Sequence, residues 1–303
     1  MKNRAFKQVD VFTDKPYLGN PLAVVLDGEG LSDAEMASFA SWTNLSETTF
    51  LLPPTNPQAD YRVRIFTPTS ELAFAGHPTL GSCYAWLEAG GKPKSKYIVQ
   101  ECNVGLVQIK QNPSYLAFAA PPLNRSLLSE SQLTQVAAAL GIQTSQIVAS
   151  QLLDNGSVWC GLVLDSVDTV LRVNASYLDI KNLGIKIGVA GIYNDSKATQ
   201  LIAKSSREAR AFASYTKIIL DEEAESDIEV RAFTMTCEDP VTGGLNASLA
   251  QWLIEDGYLP DIYTASQGVC LDRAGRVHIQ RDASGQVWVG GSVVTCIDGN
   301  VTL

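Results

Sequence analysis

Short apolar, β-rich runs separated by polar turns mark the first part of the chain. Val9–Phe12 and Pro21–Leu26 read as strands, separated by the turn-forming run D-K-P-Y-L-G-N. Ser32 and Glu35 have the spacing of a capping box, which predicts a helix through Trp42. Thr48–Leu52 and Tyr61–Thr67 follow as strands. Pro78–Ala89 is small and apolar with Gly90-Gly91 behind it, the pattern of a buried helix. Tyr97–Gln100, Leu106–Lys110 and Tyr115–Ala119 are further strands, and Pro121-Pro122 marks a linker. Beyond it, Ser129 and Gln132 cap a helix to Leu140, stopped by Gly141. Ser157–Leu164 is a strong strand, with weaker ones at Gly188–Tyr193 and Ile228–Phe233. Leu245–Ile254 is a second small-then-apolar helix before Gly257. Val277–Gln280 and Val287–Val289 form a terminal hairpin around Asp282–Gly285. The polar stretch 195–227 ends in D-E-E-A-E-S-D and reads as a solvated loop.

The two parts of this pattern echo one another. His77-Pro78-Thr79-Leu80-Gly81 opens one helix, and Asp239-Pro240-Val241-Thr242-Gly243 opens another. Proline suits a first helical position, and the residue before it is held extended, as an N-cap is. Small residues after it leave the first N–H groups uncovered, and such helix ends attract anions. Two of them facing one another would make a cleft for a carboxylate. Taken singly, each is also no more than a capped helix start.

The chain has 303 residues, 46% hydrophobic and 18% charged, which is ordinary for a soluble globular protein and leaves room for two cores. Its net charge of −9 argues against nucleic acid or an anionic membrane surface as a partner. No run approaches ~18 consecutive apolar residues, so no membrane span is expected. The basic start M-K-N-R lacks the apolar stretch of a secretion signal, which makes the cytoplasm the expected location. The six cysteines are irregularly spaced and are expected to be reduced. With two histidines and no paired cysteines, no metal is expected. G-x-G-x-x-G, G-x-x-x-x-G-K-[ST] and G-x-S-x-G are all absent, which removes support for nucleotide dependence and serine-hydrolase chemistry.

Three residues can handle protons in turn-rich surroundings. Glu47, in N-L-S-E-T-T-F, stands at a helix–strand junction, where an apolar cleft would raise its pKa and suit it to general-base work. His77, in A-F-A-G-H-P, sits among small apolar residues at a helix start. Asp239, in C-E-D-P, has the sequence context of an N-cap. A solvated glutamate, a packed histidine and a capping aspartate are the bland alternatives.

Around these residues the chain resembles the phenazine-biosynthesis PhzF-like isomerase family. The matching segments are Q-V-D-V-F at 8–12, G-N-P-L-A-V-V at 19–25 and N-L-S-E-T-T-F at 44–50. Two more are R-I-F-T-P-T-S-E-L-A-F-A-G-H-P-T-L-G at 64–81 and R-A-F-T-M-T-C-E-D-P-V-T-G-G at 231–244. The resemblance is dense over residues 8–90, local around 231–257 and thin between about 125 and 228. It implies an α+β fold like that of diaminopimelate epimerase: two similar lobes, each a curved mixed sheet around a central helix. The lobes would be 1–121 with about 287–303, and 122–286, with the active site in the cleft between them. It further implies proton-shifting isomerisation of a small, carboxylate-bearing cyclic or unsaturated substrate, without metal or organic cofactor, in a homodimer. By the same resemblance Glu47 is the acid/base, His77 and Asp239 support it, and Gly76, Thr79, Thr242, Gly243 and Gly244 bind substrate. Gly244 departs from the family, which commonly has serine there, and Cys237 and Glu238 depart from the small residues usual before Asp239. Two alternatives stay open: an amino-acid racemase or epimerase on the same fold, and a non-catalytic binding protein. The racemase would need thiols near Ala75 and Pro240, and Cys83 and Cys237 are displaced from those positions.

Overall fold

The computed structural model describes residues 1–193 and 226–303, so the polar stretch expected at 195–227 lies outside it except for Ser226 and Asp227. The first part of the chain runs β1 (Asn3–Val11), β2 (Asn20–Val25), α1 (Asp33–Thr43), β3 (Thr48–Leu52), β4 (Tyr61–Phe66) and β5 (Glu71–Leu72). It continues with α2 (Gly76–Glu88), β6 (Ile98–Cys102), β7 (Gly105–Gln111), β8 (Leu116–Ala119) and β9 (Asn124–Ser126). Next come α3 (Glu130–Leu140), β10 (Ile147–Asp154), β11 (Val158–Leu164), α4 (Val167–Arg172), α5 (Tyr177–Leu183) and β12 (Lys186–Ile192). The rest comprises β13 (Ile228–Phe233), β14 (Glu238–Asp239), α6 (Gly243–Glu255), β15 (Ile262–Gln267), β16 (Gly275–Arg281), β17 (Val287–Gly291) and β18 (Val293–Thr302).

Helix ends follow local chemistry. The Ser32–Glu35 and Ser129–Gln132 capping boxes both form, and α3 stops where Gly141 adopts a left-handed φ of 68°. The strands join into one mixed, hydrogen-bonded sheet in the order β18–β1–β2–β3–β4–β6–β7–β8–β17–β16–β15–β13–β12–β11–β10–β9. With the helices, this is an α+β fold.

The pairing scheme occurs twice. From β1 to β8, the neighbours are antiparallel, parallel, antiparallel, parallel, antiparallel and antiparallel, with β5 folded back on β4. From β10 to β17 the same series recurs, with β14 folded back on β13. β8 and β17 pair antiparallel where the two series meet, and β18 returns to β1. Helix α2 packs on β1, β2, β3, β6 and β8, and α6 packs on β10, β16 and β17. Residues of both helices, among them Leu80 and Leu245, share one apolar core.

The echo seen in the sequence is real, but its register is corrected. Proline does not mark equivalent positions. The structural repeat aligns Arg64-x-Phe66-Thr67 with Arg231-x-Phe233-Thr234, Glu71 with Glu238, and Gly76 with Gly243. Arg64 forms a two-pronged pair with Glu71 at 2.8 and 2.7 Å, and Arg231 does the same with Glu238 at 2.9 and 2.8 Å. Each guanidinium lies over the phenylalanine two residues on, at 5.0 and 4.9 Å from the ring centre. Each threonine hydroxyl donates to the carbonyl three residues later, that of Ser70 or of Cys237. Neither helix therefore starts at its proline. The N-caps are Ala75 and Thr242, so His77 and Pro78 lie inside the first turn of α2, while Asp239 belongs to β14. Pro78 fits there because an N–H in the first turn has no partner within the helix.

Candidate active site

Glu47 precedes β3 and shares the side-chain parity of Thr49 and Leu51. That parity faces α2, since Ser82 on α2 donates to Thr49 Oγ1 at 2.9 Å. One strand step earlier, Glu47 meets the first turn of α2, where its Oε2 lies 3.4 Å from His77 Nε2. Both side chains are largely buried, 15% and 5% exposed, and neither of these two atoms has a hydrogen-bond partner. A buried polar atom without a partner is costly, and two side by side offer a polar ligand group two hydrogen-bonding atoms at once.

Burial raises the Glu47 carboxyl to about 8, with the Asp239 charge acting in the same direction and the Lys186 ammonium opposing. Burial lowers His77 to about 3, against a smaller opposing effect of the Pro21 carbonyl. The imidazole is thus neutral and exerts no cationic pull on Glu47. Asp239 is raised to about 6, again chiefly by burial, with hydrogen bonds from Thr242 and Asn20 opposing. A carboxyl poised near neutral pH can both give and take a proton.

Asn20, at the head of β2 and fully buried, ties the group together. Its Nδ2 donates to Asp239 Oδ1 at 2.9 Å and to the Val241 carbonyl at 2.9 Å, and lies 3.4 Å from His77 Nδ1. Thr242 Oγ1 donates to Asp239 Oδ2 at 2.6 Å, so both carboxylate oxygens are held. Gln267, also fully buried, accepts from the Thr242 N–H at 3.0 Å and donates to Thr242 Oγ1 at 3.0 Å and to the Asp239 carbonyl at 3.1 Å. Sequence reasoning missed both amides.

The N-termini of α2 and α6 meet directly. A methyl group on Gly76 would stand 2.9 Å from Gly243 Cα, and one on Gly243 would stand 3.1 Å from Gly76 Cα. Only a pair of glycines lets the backbones approach so closely. Gly244 is different, because a Cβ there would meet nothing within 4 Å. The Gly244 carbonyl accepts from Asn155 at 2.9 Å. Glu47, His77, Asp239, Thr242, Gly76, Gly243 and Gly244 thus gather around the two helix starts. Thr79 stands apart: it is fully buried, and its hydroxyl donates to the Ala75 carbonyl at 2.9 Å and accepts from Gln100 at 3.0 Å. Its N–H is also bonded to the Ala75 carbonyl, so it offers a ligand nothing.

Of the two positions where a two-thiol racemase would need sulfur, Ala75 caps α2 and Pro240 follows β14, and neither carries a thiol. Cys83 is buried within α2, and Cys237 is exposed in the turn before β14. All six thiols are free. Among the described residues, no group of three or more His, Cys, Asp or Glu side chains could hold a metal ion, and no helix is long and apolar enough to cross a membrane.

Known proteins share this fold and place the chain in a family. The chain is 35% identical to Antisense-enhancing sequence 1 of Schizosaccharomyces pombe, over 99% of both chains. It is 32% identical over 177 residues to trans-2,3-dihydro-3-hydroxyanthranilate isomerase of Pseudomonas fluorescens, covering 57% of this chain and 62% of that protein. The fold matches a PhzF-family phenazine biosynthesis protein of Bacillus anthracis with a TM-score of 0.79, at 21% identity and over the whole of both chains. The family model described as "Phenazine biosynthesis-like protein" spans residues 9–299, and the chain belongs to that family.

Proposed function

We propose that this protein is a cofactor-independent isomerase that shifts a proton on a small, carboxylate-bearing cyclic or unsaturated substrate. That it is an isomerase rests on kinship, since curated relatives of the family carry that activity in their names. The observation that carries the mechanism is the unpartnered Glu47–His77 pair, with a carboxyl near 8 beside a neutral imidazole. In its ionised form Glu47 takes a proton from a carbon next to, or conjugated with, a stabilising group. It then returns the proton to another carbon, so one side chain serves as base and acid. His77 donates to or accepts from a polar group of the substrate bound beside the pair. Asp239, fixed by Asn20 and Thr242, keeps a negative charge near Glu47 and sustains its raised pKa. The facing ends of α2 and α6 are the natural seat for the substrate carboxylate. The repeated pairing scheme supports two lobes, residues 1–121 with about 287–303 and residues 122–286, with this site between them.

The test begins with trans-2,3-dihydro-3-hydroxyanthranilate and a panel of cyclic and unsaturated carboxylic acids, incubated with the protein in deuterated water. Deuterium should appear at the reprotonated carbon of a substrate. Glu47→Gln should bind that substrate but turn it over at least ~10²-fold more slowly. Near-normal turnover by Glu47→Gln would remove the base from this site.

A further inference from the structure

The repeat that aligns Phe66 with Phe233 also assigns a counterpart to Glu47. Phe66 pairs with Thr48, and Phe233 pairs with Ile187. The residue before each partner is Glu47 in one repeat and Lys186 in the other. The parity agrees: Glu47 shares a face with Thr49, which touches α2. Lys186 shares a face with Gly188, whose missing side chain makes room for Leu245 in the first turn of α6. An acid and a cation therefore occupy equivalent places beside two helix starts that touch at Gly76 and Gly243.

The geometry points to Lys186 as the residue that holds a second anionic group of the substrate, across the touching helix ends from the acid/base. This deepens the reading of the site given above and rests on it. Several features fit a built cation site. The Lys186 ammonium donates to Ser157 Oγ and lies 4.9 Å from the centre of the Trp159 ring, which fixes the side chain and leaves two of its three N–H groups without a partner among the described residues. The turn that carries Ser157 also carries Asn155, which donates to the Gly244 carbonyl at 2.9 Å and so ties this wall to the α6 start. The Lys186 charge reaches both Glu47 and Asp239, each of whose carboxyls it favours in the ionised form. An ammonium near these groups, in a partly buried position, binds an anion more strongly than a surface lysine would. The helix ends supply a place for one carboxylate, and Lys186 supplies the place for another.

Benzoate and phthalate, which differ by one carboxylate on the same ring, serve as probes in calorimetric titrations. Wild type should bind phthalate at least ~10-fold more tightly than benzoate, the scale of one charge-assisted hydrogen bond. Lys186→Gln and Lys186→Met should each reduce that preference to within ~2-fold, and Lys186→Arg should restore it. Two substitutions of different chemistry guard against a fault in folding, which a thermal melt also detects. A preference that survives in both variants, or no preference in wild type, overturns the role of Lys186. Either result leaves Glu47 standing, because Glu47 is judged by deuterium labelling and by turnover of Glu47→Gln. Conversely, normal turnover by Glu47→Gln would not alter the probe ratio.

Discussion

The two repeats keep the same frame and differ in nearly everything that can react. Arg64 and Arg231 tie down matching turns through Glu71 and Glu238. Around those constants, Glu47 stands opposite Lys186, Leu72 opposite Asp239, His77 opposite Gly244 and Thr49 opposite Gly188. Even the shared ion pair sits differently. The third arm of Arg64 reaches Asp33, whose side chain is 84% exposed, whereas that of Arg231 donates to the Val170 and Val173 carbonyls at the end of α4, at 3.0 and 2.9 Å. The comparison teaches that the scaffold was doubled while the chemistry was divided. One side holds the proton-transfer pair, and the other holds the fixed aspartate and the cation.

The largest expected effect tests whether Glu47 is held against its own charge. Its folded-state pKa is raised from 4.5 to about 8, so the folded protein favours the protonated carboxyl. The associated stability is fully present below pH 4.5 and is lost as the pH climbs through 8. At roughly 1.4 kcal/mol per pH unit, the whole window amounts to about 5 kcal/mol. Urea unfolding at pH 5 and pH 9 should show Glu47→Gln gaining on wild type by an amount of that order. A difference that does not change with pH would mean that Glu47 titrates as an exposed glutamate.

Next comes the ion pair. Arg231→Met strands the buried Glu238 carboxylate and frees the α4 carbonyls, and should cost about 3–5 kcal/mol. Arg64→Met acts on a more exposed pair and should cost about 1 kcal/mol. Equal losses in denaturant melts would erase the distinction between the repeats. Two neighbouring glycines part company, and the second gives the smallest effect. Gly243→Ala drives a methyl group onto the Gly76 backbone and should destabilise by about 1–3 kcal/mol. Gly244→Ser meets open space and should change stability by less than about 0.5 kcal/mol, as its melting temperature will report.

Much of the frame was legible because its signals are local. The strand expected at Thr48–Leu52 matches β3 to the residue, and serine with glutamate or glutamine three positions on located both capping boxes. The short helices α4 and α5 were overlooked, although Ser166 and Ser176 cap them with side-chain bonds of the readable kind. The repeat was noticed in the wrong register because proline is conspicuous, while the arginine–glutamate pair that sets the register spans a turn. Glu47, His77 and Asp239 were legible as proton-handling residues in turn-rich surroundings, but a bland role for each stayed open until the resemblance assigned one. Asn20 escaped because its partners are 57 and 219 residues away along the chain. An amide at the head of an apolar strand was its single local clue. Lys186 escaped for a similar reason: nothing near it in sequence distinguishes it from a solvated lysine.

The Gly76–Gly243 contact sets a mechanical stop. Where two backbones touch with no room for a methyl group, the distance between the helix starts is governed by main-chain thickness, as the throat of a caliper is by its jaws. Exchanging side chains elsewhere can repaint the walls of the gap without altering its width. New substrates would then be accommodated by replacing residues such as Gly244 or Lys186 at the rim, while the throat itself keeps one gauge throughout.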